Sequence, residues 1–78
     1  MTSKQKEIYD FIISYMKENL FSPSMREIGI GVGLKSTSSV YTHLKNLQKN
    51  NLITMRESES RTIRPVGYEL VRIPDETE

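Results

Sequence analysis

The stretch SMREIGIGVGLKSTSSVYTHLKNLQK, residues 24–49, decides the fold, because two helix-like segments meet in it at a glycine-containing turn. Ser24 precedes Glu27 by three residues, and this capping-box spacing satisfies free N–H groups at a helix start. Gly33 is suited to the left-handed conformation that ends such a helix, and Ser36 can cap the next one. Two helices joined by about four residues that include glycine predict a helix-turn-helix, the motif whose second helix docks in the DNA major groove.

The second of these helices, predicted over about residues 37–49, has a narrow apolar stripe. Val40, Leu44 and Leu47 recur at spacings of four and three, which places them on one buried side. The opposite side carries hydroxyls near the helix start and lysines near its end: Ser38, Tyr41, Thr42, Lys45 and Lys49, with Ser39 and Asn46 on a flank. Hydroxyls can bond to base edges and lysines neutralise phosphates, so this order favours a groove-facing helix. An ordinary solvated surface is the alternative explanation.

Length and composition predict one small intracellular domain. The chain has 78 residues and no cysteine, so a modest core must be stable without disulfides. No apolar run approaches the roughly 18 residues of a membrane span, and the N-terminus lacks a basic-then-apolar signal. These features predict a cytoplasmic chain with no membrane partner.

Charge is divided unevenly along the chain. The formal net charge is +1, yet residues 1–67 hold ten Lys or Arg against six Asp or Glu. Residues 68–78 hold one Arg against four Asp or Glu. A basic body with an acidic end suits a domain that meets an anionic partner such as nucleic acid.

The N-terminal segment predicts a long amphipathic helix. It is expected to begin at about Ser3, because Thr2 and Gln5 have capping-box spacing. Its apolar positions recur at three and four residues and are Ile8, Phe11, Ile12, Tyr15, Met16 and Leu20. Pro23 disfavours helix at the residue before it, so the chain is expected to break over residues 19–23.

A shorter helix is predicted over about residues 25–32. Its cap and the shared face of Met25, Ile28 and Val32 favour a helix, although the alternation of Ile28, Ile30 and Val32 would equally fit a strand. Gly29 and Gly31 each cost about 1 kcal/mol relative to Ala inside a helix. Close packing against the third helix would give Gly31 a reason to be small.

A β-hairpin is predicted after the third helix. Asn50 and Asn51 can supply the positive backbone angle of a helix end, and residues 52–56 and 61–66 read as strands on either side of a polar ESES turn. The predicted fold class is therefore mainly α with a small β-hairpin, a three-helix winged helix-turn-helix over residues 1–66. Residues 67–78 are expected to form an acidic tail or the start of a linker.

Several motifs occur in order along the chain: QxEIxDFI at 5–12, PSxREI at 23–28, VGLKS at 32–36, HLKxL at 43–47, NLI at 51–53 and RxI at 61–63. Together they resemble the DNA-binding domain of the LexA repressor family over about residues 2–66. The resemblance implies a bacterial or phage-encoded repressor of DNA-damage (SOS) genes, located in the cytoplasm with the nucleoid. It also implies a palindromic DNA operator bound by a homodimer. Because a core this small leaves no spare apolar surface, the chain alone is expected to be monomeric or a weak dimer.

The functional positions of that family can be carried over residue by residue. Its base-reading segment falls on Ser36, Ser38, Ser39, Tyr41 and Thr42. Its wing contacts with the DNA backbone fall around Ser60, Arg61 and Thr62. Further phosphate contacts are expected from Lys35, Lys45 and Lys49.

The sequence also departs from the family pattern. Family members usually continue into a self-cleaving peptidase domain with an Ala-Gly cleavage site and a Ser-Lys dyad, whereas this chain ends at Glu78 and contains no Ala. No enzyme activity is therefore expected, and both an excised domain and a natural stand-alone protein remain open. Ile30 and Gly31 stand where a polar residue and Ala are common, and Tyr41 and Thr42 predict an operator that differs from those of relatives.

Two other classes of function are alternatives to DNA binding. A protein-interaction module on a winged-helix scaffold is the main alternative, although the basic outer face favours DNA. Catalysis and metal binding have little support, because His43 is the only histidine and no cysteine accompanies it. Glu57 and Glu59 are expected to lie in a flexible wing without a pocket, which gives a paired-carboxylate mechanism little support. The glycines at 29, 31 and 33 lack the strand and the Lys-Ser or Lys-Thr of a phosphate loop, so no metal or cofactor is expected.

Overall fold

Three helices and a two-stranded sheet make up the part of the chain that the computed structural model describes, residues 2–68. Helix α1 spans Ser3–Asn19, α2 spans Met25–Val32 and α3 spans Thr37–Lys49. Strands β1, Ile53–Thr54, and β2, Arg64–Pro65, pair antiparallel. This architecture confirms the predicted winged helix-turn-helix. None of the helices described within residues 2–68 has the length and hydropathy of a membrane span. The predicted tail lies outside the described residues from position 69 onward.

The three helix starts form where the capping residues predict them. The Thr2 hydroxyl accepts a hydrogen bond from the Gln5 N–H at 3.1 Å. Ser24 and Glu27 form the full capping box, in which each side chain accepts from the other residue's N–H, at 3.1 and 2.9 Å. The Ser36 hydroxyl accepts from the Ser38 N–H at 3.1 Å. Short-range side-chain bonds therefore set the first residue of each helix.

The helix ends agree with the predictions in part. Gly33 ends α2 in the left-handed conformation, with φ 78°. Of the two asparagines after α3, only Asn51 has a positive φ, 63°, whereas Asn50 stays at −89°. Leu20 was predicted to extend the apolar face of α1, and this is wrong. It is the left-handed residue just past Asn19, so it has left the helical register and is 71% exposed.

One apolar core joins all three helices to the hairpin. Its buried members are Ile8, Ile12 and Met16 of α1, Ile28 of α2, Val40, Leu44 and Leu47 of α3, and Ile53 and Ile63 of the hairpin. The predicted stripe of α3 is thus confirmed as fully buried. Met25, which was predicted on the same face as Ile28, is 39% exposed and lines a groove together with residues of the hairpin.

A side chain at either of the two glycines inside α2 would meet a different neighbour. A Cβ on Gly29 would lie 3.0 Å from the Leu34 carbonyl oxygen and 3.4 Å from a Val40 methyl group of α3. A Cβ on Gly31 would overlap the Phe11 ring of α1. The prediction that Gly31 faces the third helix is therefore wrong, because the side chain nearest to its Cβ position is Phe11 of α1.

The strands are much shorter than the predicted segments 52–56 and 61–66. The register pairs Ile53 with Pro65 and Thr54 with Arg64. One backbone hydrogen bond lies just outside the strands, from the Val66 N–H to the Leu52 carbonyl oxygen at 2.9 Å. Ser58 and Arg61 have positive φ values of 67° and 59°, which end the extended backbone. The Thr62 hydroxyl, rather than a backbone carbonyl, accepts from the Arg56 N–H at 2.9 Å. We call residues 53–65 the wing.

Candidate nucleic-acid interface

Helix α3 presents a continuous polar surface opposite its buried stripe. We call this surface the outer face; all of its members are exposed, and they are Ser38, Ser39, Tyr41, Thr42, Lys45 and Lys49. The hydroxyl of Thr42 donates to the Ser38 carbonyl oxygen one turn earlier, at 3.0 Å. Serine and threonine hydroxyls at the first turns and ammonium groups at the last ones can contact base edges and phosphates, respectively.

A shallow depression lies between α2 and the first turn of α3. Its lining includes Arg26, Lys35 and the capping residue Ser36. Two cationic side chains therefore flank a helix N-terminus, whose free N–H groups carry partial positive charge. Sequence reasoning missed Arg26. Its place in α2, off the apolar face of Ile28 and Val32, was the available sequence signal.

The wing folds back onto the outer face of α3. The carboxylate of Glu57 accepts a hydrogen bond from the Tyr41 hydroxyl at 2.7 Å and one from the Lys45 ammonium at 2.8 Å. The Lys45 bond, followed by the Tyr41 bond, holds the pKa of Glu57 below its ordinary value. The same contacts raise the pKa of Lys45 and that of Tyr41. No local pattern signals these contacts, because 16 and 12 residues separate the partners in sequence.

A groove separates this part of the wing from the helices. Its lining residues are Met25, Tyr41, Met55 and positions 56–63 of the wing. The expectation of a wing without a pocket is therefore wrong, because an open groove runs between the wing and Tyr41 of α3. The groove does not pair the two wing carboxylates, since Glu57 binds α3 and Glu59 pairs with Arg56 at 3.7 Å.

Arg61 points toward the body of the protein. Its guanidinium donates two hydrogen bonds to the Glu27 carboxylate, at 3.0 and 2.9 Å, and one to the Ser22 carbonyl oxygen at 3.0 Å. It also lies 5.1 Å from the centre of the Phe21 ring. Bonds from Arg61, and next the Ser24 N–H, lower the pKa of Glu27 to about 2. Arg61 thus connects the wing to the start of α2 through hydrogen bonds and an ion pair with Glu27.

The other two wing residues carried over from the family differ in their surroundings. Ser60 is exposed. The Thr62 hydroxyl bonds within the wing, to the Arg56 backbone and the Glu59 carbonyl oxygen. Beside them, Arg56 and Arg64 line a second shallow depression. Sequence reasoning did not assign either arginine to the interface; their position on both sides of the ESES turn was the available signal.

The Glu27–Arg61 pair predicts a specific acid sensitivity. The Glu27 carboxyl has an ordinary pKa of 4.5 and a folded pKa of about 2. Its contribution to stability is therefore complete above pH 4.5 and is lost as the pH falls toward 2, because the unfolded chain binds the proton first. We expect Glu27→Gln, which keeps a capping-box side chain, to flatten the fall in unfolding free energy over this window. Urea denaturation at a series of pH values measures it.

Glu7→Gln is the matched control for this measurement. Glu7 is an exposed carboxylate on α1 that pairs with Lys4 at 3.1 Å. This variant should follow the wild-type pH dependence. Identical pH profiles for Glu27→Gln and the wild type would contradict the role given to the Glu27–Arg61 pair.

His43 lies beside the core stripe on α3 and is half-buried. Its Nδ1 atom is buried without a hydrogen-bond partner among residues 2–68. Within the same residues no three His, Asp or Glu side chains are grouped as a metal site requires. The side chains that the fold does bring together at the surface are the hydroxyls, lysines and arginines around α3 and the wing.

Comparison with known proteins gives concordant matches. The family model described as the LexA DNA-binding domain matches residues 1–62. The LexA repressor of Clostridium botulinum is 45% identical over 75 residues, which cover 91% of this chain and 37% of the relative. The LexA repressor of Syntrophomonas wolfei is 47% identical over 66 residues, 85% of this chain and 32% of the relative. The LexA repressor of Clostridium novyi is 47% identical over 76 residues, which cover 91% of this chain and 37% of the relative.

Proposed function

This chain belongs to the LexA DNA-binding domain family, and we propose that it binds double-stranded DNA sequence-specifically as the operator-binding part of a transcriptional repressor. The outer face of α3 is the observation that carries the proposal. It displays hydroxyls and lysines opposite Val40, Leu44 and Leu47, which are fully buried. The chain spans about a third of the length of the relatives it matches. Repression of DNA-damage genes is therefore part of the proposal for the whole protein.

Helix α3 is proposed to lie in the major groove with its first turns nearest the bases. In helix-turn-helix proteins these turns approach the base edges. The proposed reading residues are Ser36, Ser38, Ser39, Tyr41 and Thr42. Each of the five offers a single hydroxyl, so discrimination should come from several modest contacts rather than from one bidentate pair.

Phosphate contacts are proposed for Lys35, Lys45, Lys49, Ser60, Arg61 and Thr62. Two of these cations already form ion pairs in the free chain, Lys45 with Glu57 and Arg61 with Glu27. Lys35 and Lys49 are exposed and form no ion pair with any residue from 2 to 68. They are therefore expected to supply the sequence-independent attraction at the lowest cost.

Two copies are proposed to bind one palindromic operator, while the chain alone is monomeric or weakly dimeric. A two-fold operator places two α3 helices in successive major grooves on one face of the duplex. The spacing of the two half-sites on the DNA then sets the relative position of the two copies. Sedimentation of the free chain at low micromolar concentration, followed by sedimentation with a duplex, measures both states.

Selection of bound duplexes from a random DNA pool tests the proposal directly. We expect enrichment of one palindromic motif and a steep loss of affinity as salt is raised. A protein-interaction module would show neither. Absence of enrichment at low salt would refute DNA binding as the function of this domain.

Removing one reading hydroxyl should weaken specific binding selectively. Ser39→Ala removes an exposed hydroxyl of α3. We expect it to cost about 1 kcal/mol on the selected duplex, or roughly fivefold in affinity, and to leave a scrambled duplex nearly unaffected. Ser14→Ala, an exposed serine of α1, is the control and should change neither. An unchanged ratio of specific to scrambled affinity in Ser39→Ala would remove Ser39 from the reading set.

A further inference from the structure

A wing carboxylate occupies the proposed DNA-binding surface in the free chain. Glu57 accepts hydrogen bonds from Tyr41 and Lys45, which lie one turn apart on the outer face of α3. The Lys45 ammonium also lies 5.9 Å from the centre of the Tyr41 ring. Glu57 and Lys45 remain 51% and 44% exposed, so a large ligand can reach the cluster.

The chemistry of this cluster opposes a polyanion. A phosphate that approaches Lys45 meets an ammonium group already neutralised by Glu57, together with the carboxylate's own negative charge. The Tyr41 hydroxyl proton is likewise committed to Glu57. A duplex phosphate therefore competes with Glu57 for the Lys45 ammonium group.

We propose that Glu57 is a specificity-determining residue that withholds Lys45 from DNA of arbitrary sequence. The inference rests on the proposed DNA-binding function and extends it. Non-specific binding depends almost entirely on phosphate neutralisation, whereas operator binding also gains base contacts along α3. A carboxylate that pairs with one lysine therefore lowers the affinity for non-specific DNA by a larger factor than the affinity for the operator. The ratio of specific to non-specific affinity rises as a result.

The wing contains a matched control for this residue. Glu59 lies two positions from Glu57 and carries the same charge, but it pairs with Arg56 within the wing, at 3.7 Å. Glu57→Gln and Glu59→Gln therefore change the net charge equally and keep the side-chain size. Only Glu57→Gln removes a carboxylate from α3.

Affinity for the selected and a scrambled duplex is measured across a salt series for both variants. We expect Glu57→Gln to raise affinity for the scrambled duplex roughly three- to tenfold near 0.1 M salt and to steepen the salt slope by about one unit, because Lys45 is released to a phosphate. The ratio of specific to scrambled affinity should fall. Glu59→Gln should change slope and ratio much less, because Glu59 lies 3.7 Å from Arg56, both side chains are more than half exposed, and so loose a pair hardly withholds Arg56 from a phosphate.

A double-mutant cycle shows whether Lys45 carries the effect. In the Lys45→Gln background, Glu57→Gln should no longer steepen the salt slope, because no ammonium group remains to be released. Equal effects of the two wing variants would overturn the proposal and assign the change to net charge. Persistence of the Glu57→Gln effect without Lys45 would also overturn it.

A measurement without DNA tests the contact itself. NMR titration of the Tyr41 ring should give a lower pKa in Glu57→Gln than in the wild type and no change in Glu59→Gln, because the Glu57 carboxylate raises that pKa. An unchanged Tyr41 titration would refute the contact.

Failure of the wild type to enrich any duplex refutes the DNA-binding function, whereas enrichment without a Glu57-specific effect refutes only the role of Glu57.

Discussion

Leu44→Ala is expected to lower the free energy of unfolding by about 2–5 kcal/mol, the largest effect predicted for this chain. Leu44 is fully buried in the middle of the α3 stripe, with Val40 and Leu47 on either side. Its truncation loses the transfer energy of the side chain and leaves a cavity in a core shared by all three helices. A domain of this size has a total stability of roughly 4–12 kcal/mol, so the loss should remove a large share of it.

Urea denaturation followed by circular dichroism measures this loss. Asn46→Ala is the control on the same helix, because Asn46 is exposed and its substitution should change stability by about 0.5 kcal/mol or less. Leu44→Ala should weaken specific and non-specific DNA binding together, in proportion to the unfolded fraction. Stability equal to that of Asn46→Ala would show that the α3 stripe is not the centre of the core.

Gly31→Val is expected to destabilise the chain by about 1–3 kcal/mol, although valine has a slightly higher helix propensity than glycine. The new Cβ would overlap the Phe11 ring, which packs against the core and lies 5.8 Å from the Tyr15 ring, centre to centre. The gain in propensity amounts to a few tenths of a kcal/mol, so the steric cost decides the sign.

A cycle with Phe11→Ala identifies the cause. Once the ring is removed, the valine at position 31 has room, and we expect Gly31→Val to become nearly neutral in that background. Thermal and urea unfolding of the four proteins give the coupling energy. The same cost with and without the Phe11 ring would mean that the contact between α1 and α2 does not explain the glycine.

The helices and their boundaries could be predicted because their causes are local. Capping bonds span two or three residues, and Gly33 ends α2 through its own backbone conformation. The outer face of α3 followed from the same short-range geometry, since a helical period of 3.6 residues puts the hydroxyls and lysines opposite the buried stripe. Every reading residue predicted within α3 is accordingly exposed.

The length of the wing strands and the contacts of the wing side chains could not be predicted in this way. Alternating residues on both sides of ESES suggested longer strands, but positive φ values at Ser58 and Arg61 and the Thr62 side-chain bond shorten the pairing. Arg61 was predicted to face DNA from its place in the wing. Its position over the start of α2 depends on where Glu27, 34 residues earlier, lies in the fold.

The sequence by itself determined three capped helices, the glycine turn between the second and third, the buried stripe of α3 and the polar surface opposite it. Each depends on residues within about one helical turn of each other, so the amino-acid pattern contains the information. Only the tertiary structure decided that Gly31 faces Phe11 and that Arg61 binds Glu27. It also decided that Glu57 accepts hydrogen bonds from Lys45 and Tyr41. These contacts join residues 12 to 34 positions apart, and they depend on how α1, α2, α3 and the wing are oriented when they bury one common core.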